Sequence, residues 1–239
     1  MFLGVCRGGV RLNKEFKLCL HPTIFIYLAL VLMLLIPSYP YLVSCFFVCN
    51  AIFFVVQNAR ENGDSMYTAM LPVSKAQTVK ARGLFVVIVQ MIDIVLMAGM
   101  CALSLVAMPG FNAGGTDHSL TLLAFALILF TIFNLIFLPS FYKNGYKAGT
   151  AFIKGAIGVW IWIVLCEGTM IATRVIVKEK GLDLPFFRFL ARNVDCFPQT
   201  KEAWTVQAIL FAAALLIYVL GTFLAVRLSV KRYEQVDVA

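Results

Sequence analysis

Four polar side chains interrupt otherwise apolar stretches: Gln90 and Asp93 in one, Asn134 in another and Glu167 in a third. At 1.5 Å per helical residue, Asp93 falls about 16 Å beyond Arg82 and Glu167 about 20 Å beyond Lys154. Both depths lie inside a bilayer, so each acid has to face protein or water rather than lipid. Gln90 precedes Asp93 by three residues and shares its helical face. Two roles suit such residues. One is a polar lining for a translocation path; the other is helix-to-helix hydrogen bonding that sets packing. Residue type leaves both open, and the same holds for Thr131 and Asn134. Catalytic chemistry has less to build on. The chain has no G-x-x-x-x-G-K-[ST] to cradle a nucleotide phosphate, no H-E-x-x-H and no G-x-S-x-G. His21 and His118, its two histidines, are predicted at opposite membrane faces and cannot share a metal. The seven cysteines form no CxxC pair, so a thiolate metal or redox site is not expected. Most lie in or beside apolar runs, where they act as small hydrophobes.

These residues need elements that cross a membrane. The chain has 239 residues, 62% hydrophobic and 13% charged, with a mean hydropathy of +0.91. Soluble domains are about 45–50% apolar and about 25% charged. The length fits one membrane domain over 1–239, and the net charge of +8 reflects basic loops facing anionic lipid rather than nucleic acid. Six apolar runs are predicted: Leu18–Ile36, Tyr41–Val56, Gly83–Met108, Ser119–Phe141, Thr150–Thr173 and Ala203–Val226, followed by a polar tail. The first two are short of the roughly 20 residues a crossing needs. Residues 1–20 place Phe2, Val5, Leu12 and Phe16 opposite Arg7, Arg11, Lys14 and Lys17 on a helical wheel. This is a basic amphipathic helix suited to the inner interface. A signal peptide is disfavoured, because no small-residue cleavage site follows the first run.

Basic residues set the orientation. The proposed inner segments hold Arg7, Arg11, Lys14, Lys17, Arg60, Lys75, Lys80, Arg82, Lys143, Lys147, Lys154, Arg227, Lys231 and Arg232. The short outer turns hold none, and the outer loop 174–202 mixes its basic residues with acids. The positive-inside rule therefore predicts six crossings with both termini cytoplasmic, in the inner or plasma membrane. Within the outer loop, Leu184–Leu190 is aromatic enough for an interfacial helix or re-entrant hairpin, and Cys196 is read as unpaired. Ala151, Gly155 and Gly158 predict close helix packing in the fifth run.

Segment 60–82 is the longest polar interruption in the first half. Gly63-Asp64-Ser65 offers a turn and an N-cap, and Met66–Leu71 fits a short helix ended by Pro72. Ser74 and Gln77 have capping-box spacing and lead through Lys80 and Arg82 directly into the third run. A short exposed helix is thus predicted to join a membrane helix stiffly. Met66 and Met70 share a face, with Glu61, Asp64 and Lys75 placed to form a polar rim around a partner's cleft.

Glu61, Leu71-Pro72-Val73-Ser74-Lys75, Val79 and Arg82 resemble the first cytoplasmic loop of ABC-2-type transporter permeases. His21-Pro22 and Ile36-Pro37-Ser38-Tyr39-Pro40 are similar as well. The resemblance implies an all-α polytopic protein and the permease of an ATP-driven exporter. It implies contact with a separate ATP-binding subunit through Glu61, Asp64, Met66, Met70, Leu71, Pro72, Val73, Ser74 and Lys75. ATP and Mg would then be bound by that partner, with no cofactor in this chain. A second permease, identical or sibling, would complete the path. The competing readings are a six-helix substrate-binding subunit of an energy-coupling uptake system and a membrane-embedded enzyme. The missing catalytic motifs disfavour the enzyme, and a helix built into the first inner loop disfavours the uptake subunit.

Overall fold

The most apolar of the long helices takes the centre of the molecule. In this computed structural model, residues 22–36, 39–61, 74–107, 115–143, 148–176, 185–194 and 200–235 are described. All regular elements among them are helical. They are α1 (Pro22–Ala29), continued as a 3₁₀ segment over Leu30–Leu35, then α2 (Leu42–Glu61) and α3 (Lys75–Ala107). There follow α4 (Leu120–Lys143), α5 (Ala148–Arg174), α6 (Pro185–Asn193) and α7 (Lys201–Glu234). The central helix is α4, with Leu122, Leu127, Phe130, Phe133 and Phe137 fully buried. It packs most extensively on α7 and next on α5.

Small residues allow those contacts. Gly158 of α5 lies so near α4 that a Cβ there would come within 2.7 Å of Ile136 Cδ1. A Cβ at Gly221 of α7 would collide with the Thr131 side chain. Phe133 and Phe137 stack beside this seam at 4.9 Å, and Phe152 of α5 stacks on Phe53 of α2 at 4.4 Å. The outward faces of α5 and α7 stay apolar, with Ile157, Val164, Leu216 and Phe223 all more than half exposed. Such faces suit lipid.

Among the described residues five helices are long and apolar enough to cross a membrane: α2, α3, α4, α5 and α7. The first run, Leu18–Ile36, is described only from Pro22 onward. Its eight α-helical residues rise about 12 Å, and its six 3₁₀ residues about another 12 Å. The described part thus accounts for about 24 Å of a hydrocarbon core about 30 Å thick, and the start of the run, Leu18–His21, lies outside the described residues. It pairs with α2 through Tyr27, which stacks on Phe54 at 5.9 Å and accepts a 3.3 Å bond from Asn50 Nδ2. At its end α7 outlasts the apolar run. The polar tail was predicted to begin at Arg227, yet the helix continues to Glu234. Tertiary contacts hold those extra turns: Ser229 is buried, and Tyr233 packs on Tyr142 of α4 at 5.2 Å. The interfacial helix expected at residues 1–20 and the short helix expected at Met66–Leu71 lie outside the described residues, as does Cys196.

Candidate functional site

Polar groups gather at two depths, and the four acids and amides singled out in the sequence divide between them. Deep in the bundle, Gln90 of α3 and Asn134 of α4 are both 0% exposed. Their side-chain amides bond reciprocally, Gln90 Nε2 donating to Asn134 Oδ1 and Asn134 Nδ2 donating to Gln90 Oε1, each at 2.9 Å. Asn134 Nδ2 also donates to Thr222 Oγ1 at 3.2 Å, and Tyr218 OH donates to Gln90 Oε1 at 2.8 Å. Three helices thereby share one network. Tyr218 and Thr222 were missed in the sequence, although their four-residue spacing on an apolar helix was the available signal.

Asp93 shares Gln90's helix but not its network. It is 1% exposed, and both carboxylate oxygens are without a hydrogen-bond partner among the described residues. It lies within electrostatic range of Cys45 and Cys49 on α2. Those thiols are free and buried, and the Cys45 Sγ–H reaches Met97 Sδ at 3.4 Å. No three His, Cys, Asp or Glu side chains are grouped to hold a metal among the described residues.

Glu167 belongs to the other depth. Its Oε1 accepts from Leu42 N at 3.0 Å, the first residue of α2, where orphan helix N–H groups need an acceptor. Its Oε2 accepts from both the backbone N–H and the hydroxyl of Thr116. One carboxylate therefore ties α5 to the start of α2 and to the segment before α4. The chain comes close enough there only because residue 115 is glycine: a Cβ would strike the carboxylate. His118 extends the tie, with Nε2 3.0 Å from the Leu34 carbonyl and its ring 4.4 Å from Tyr41. At that turn the Tyr41 hydroxyl is pushed up to about 12, chiefly by burial and next by the charge of Asp117. Gly115–Asp117, between the third and fourth apolar runs, were expected in an outer loop open to reagent, but Gly115–Ser119 are buried. Nothing in their composition signals it; the Glu167 carboxylate draws them in.

At the opposite end stand the described residues of the polar segment. Glu61 closes α2, exposed, accepting from Gln57 Nε2 at 2.7 Å. Ser74 precedes α3, and its Oγ accepts from Gln77 N at 3.4 Å, the spacing read from the sequence. Lys75 opens α3 and lies 5.7 Å from the Tyr233 ring centre. From Lys75 the helix runs without a break for 33 residues. That is about 50 Å, some 20 Å more than a hydrocarbon core requires. Asp64, Met66, Met70, Leu71, Pro72 and Val73 lie outside the described residues.

Beneath α6 is an apolar cavity of about 640 Å³, walled by Phe186, Phe187 and Leu190 of α6, Met170 of α5 and Leu210 of α7. The Asn193 carbonyl accepts from buried Gln207 Nε2 at 3.1 Å, which anchors α6 on α7. A helix, rather than a plain loop, thus occupies part of the segment between the last two long helices.

A family model described as "ABC-2 family transporter protein" matches residues 12–233. No curated protein and no solved structure matches the chain.

Proposed function

Because the chain belongs to the ABC-2 transporter family, it is a multi-pass membrane permease of an ABC transporter, and we propose that it is the permease of an exporter driven through its first inner loop. The family's membrane component is a translocation subunit, not itself catalytic, and it implies an ABC ATP-binding partner. We place ATP and magnesium on that partner. In this reading residues 62–73 seat on the ATPase, with Glu61, Ser74 and Lys75 at the edge of the contact. A second copy or a sibling permease encloses the path. Both termini face the cytoplasm, the first apolar run counts as the sixth crossing, and the plasma or inner membrane is the site of action.

The observation that carries this reading is the continuity of α3. A rod 33 residues long, starting at Lys75, has no flexible joint between the polar segment and the buried Gln90. Motion imposed at its exposed end has to reach the network with Asn134, Thr222 and Tyr218. The network then serves as the point at which three helices move together, and Asp93 is the acid best placed to face a path when they part. Support for a path role comes from its unpartnered, buried carboxylate.

The test separates contact from transmission. Met70→Glu puts a charge on the face assigned to the ATPase cleft, where desolvating it is costly. It is expected to abolish co-purification with the ATPase while the permease still inserts and folds. Ala81→Pro breaks the rod beyond the contact, at about 3 kcal/mol of local helix stability. It is expected to leave co-purification intact and to lower transport-coupled ATP hydrolysis at least tenfold. A well-folded Met70→Glu protein that still binds its ATPase and transports would remove the segment from the mechanism.

A further inference from the structure

The first turns of α3 and the last turns of α7 meet at one end of the bundle, held close by the contact between Gly83 and Val226. Beside that contact is a cleft of about 380 Å³, lined by Lys80 of α3 and by Phe223, Val226, Arg227, Val230, Lys231 and Glu234 of α7. The α7 residues recur at helical spacing on one face. Their chemistry is graded along the axis. Phe223, 68% exposed, lies deepest in the apolar zone. Arg227 sits about 6 Å nearer the helix end and Lys231 about 12 Å nearer. Lys80 supplies a third cation from the facing helix. None of the three has an ion-pair partner among the described residues.

We infer that this cleft binds an anionic phospholipid, its headgroup phosphate held by Lys80, Arg227 and Lys231 and one acyl chain laid along Val226 and Phe223. Converging cations select the phosphate, since charge-assisted hydrogen bonds to phosphate oxygens are the strong ones. The apolar floor next to them selects a lipid over a free anion: a soluble phosphate has nothing to set against an exposed Phe223. Glu234 stands at the rim and opposes a second negative charge. A bound phosphate ties the start of α3 to the end of α7, so the site acts on the same rod that joins the polar segment to the buried network. The inference stands on the cleft's residues and not on the export reading, and its test needs no ATPase.

The full chain is purified in neutral detergent and titrated with phosphatidylglycerol, phosphatidylcholine or glycerol phosphate. Bound lipid is counted by native mass spectrometry and thermal stability is followed in parallel. One lipid-facing cation contributes about 1 kcal/mol, or roughly fivefold in affinity. The Lys80→Gln/Arg227→Gln/Lys231→Gln protein is expected to bind phosphatidylglycerol about a hundredfold more weakly. Arg188→Gln/Arg192→Gln on α6 is expected to change nothing. Glu234→Gln is expected to bind it about fivefold more tightly, a gain that damage to the fold cannot produce. Phe223→Ala should weaken phosphatidylglycerol and leave any glycerol phosphate effect untouched. Equal binding of phosphatidylglycerol by the triple variant and the native chain would overturn the site. Equal protection by glycerol phosphate would make it a free-anion site and overturn the lipid.

Discussion

Gln90 and Asn134 satisfy one another so completely that each becomes a liability without its partner. Interhelical hydrogen bonds within membranes contribute about 0.6 kcal/mol on average and up to about 1.7 kcal/mol. A buried polar group left unpaired costs about 1–3 kcal/mol. Asn134→Leu leaves Gln90 Nε2 without its acceptor and takes one donor from Thr222 Oγ1, and is expected to lower thermal stability by that larger amount. Gln90→Leu/Asn134→Leu removes both partners and is expected to cost less than the sum of the two single changes. A thermal-unfolding cycle in detergent reads the coupling. Strict additivity would mean that the amide pair does not form. Asp93 offers the contrast of an acid on the same helix with no such partner.

Among the elements, α4 sets the terms for the rest. It is buried nearly all round, with α5, α7 and α3 packed on it, and the glycines of its neighbours decide how closely. Gly158→Leu drives a side chain into Ile132 and Ile136, where overpacking typically costs about 1–3 kcal/mol. It is expected to lower the unfolding temperature, whereas Gly149→Leu, at a position with open space around it, is expected to leave that temperature unchanged. Equal effects at both positions would deny that α5 and α4 touch at Gly158. The first run makes the opposite point. Its last six helical residues, Leu30–Leu35, are 3₁₀, which lengthens each residue's rise but satisfies its backbone less well.

For the whole molecule, alternation of the helices places two ends in sharply different surroundings. One end gathers Lys75, Tyr142, Tyr233 and the basic cleft. The other gathers Leu34, Leu42, Thr116, His118 and Glu167. Single-cysteine labelling of intact cells tests which faces out. Positions 178–184 are expected to react from outside, and positions 62–73 only after permeabilisation. Thr116 and Asp117 are expected to resist reagent on either side, because the tie to Glu167 buries them. Labelling of 62–73 in sealed cells would reverse the orientation.

From the chain alone one could read the membrane class, the five long helices without the last two turns of α7, the stiff passage from Ser74 into α3 and the family. All of these follow from local composition and from hydropathy summed along a segment. A bilayer rewards that sum whatever the neighbours are. Partnership was a different matter. Gln90, Asp93, Asn134 and Glu167 stood out equally as polar residues in apolar runs, yet two pair with each other, one ties a helix start to a loop and one has no partner among the described residues. Those outcomes depend on which helix faces which, and at what depth. Only packing around α4 decides that, through close approach at Gly158 and Gly221 and the sub-ångström fit of side chains that no single segment contains.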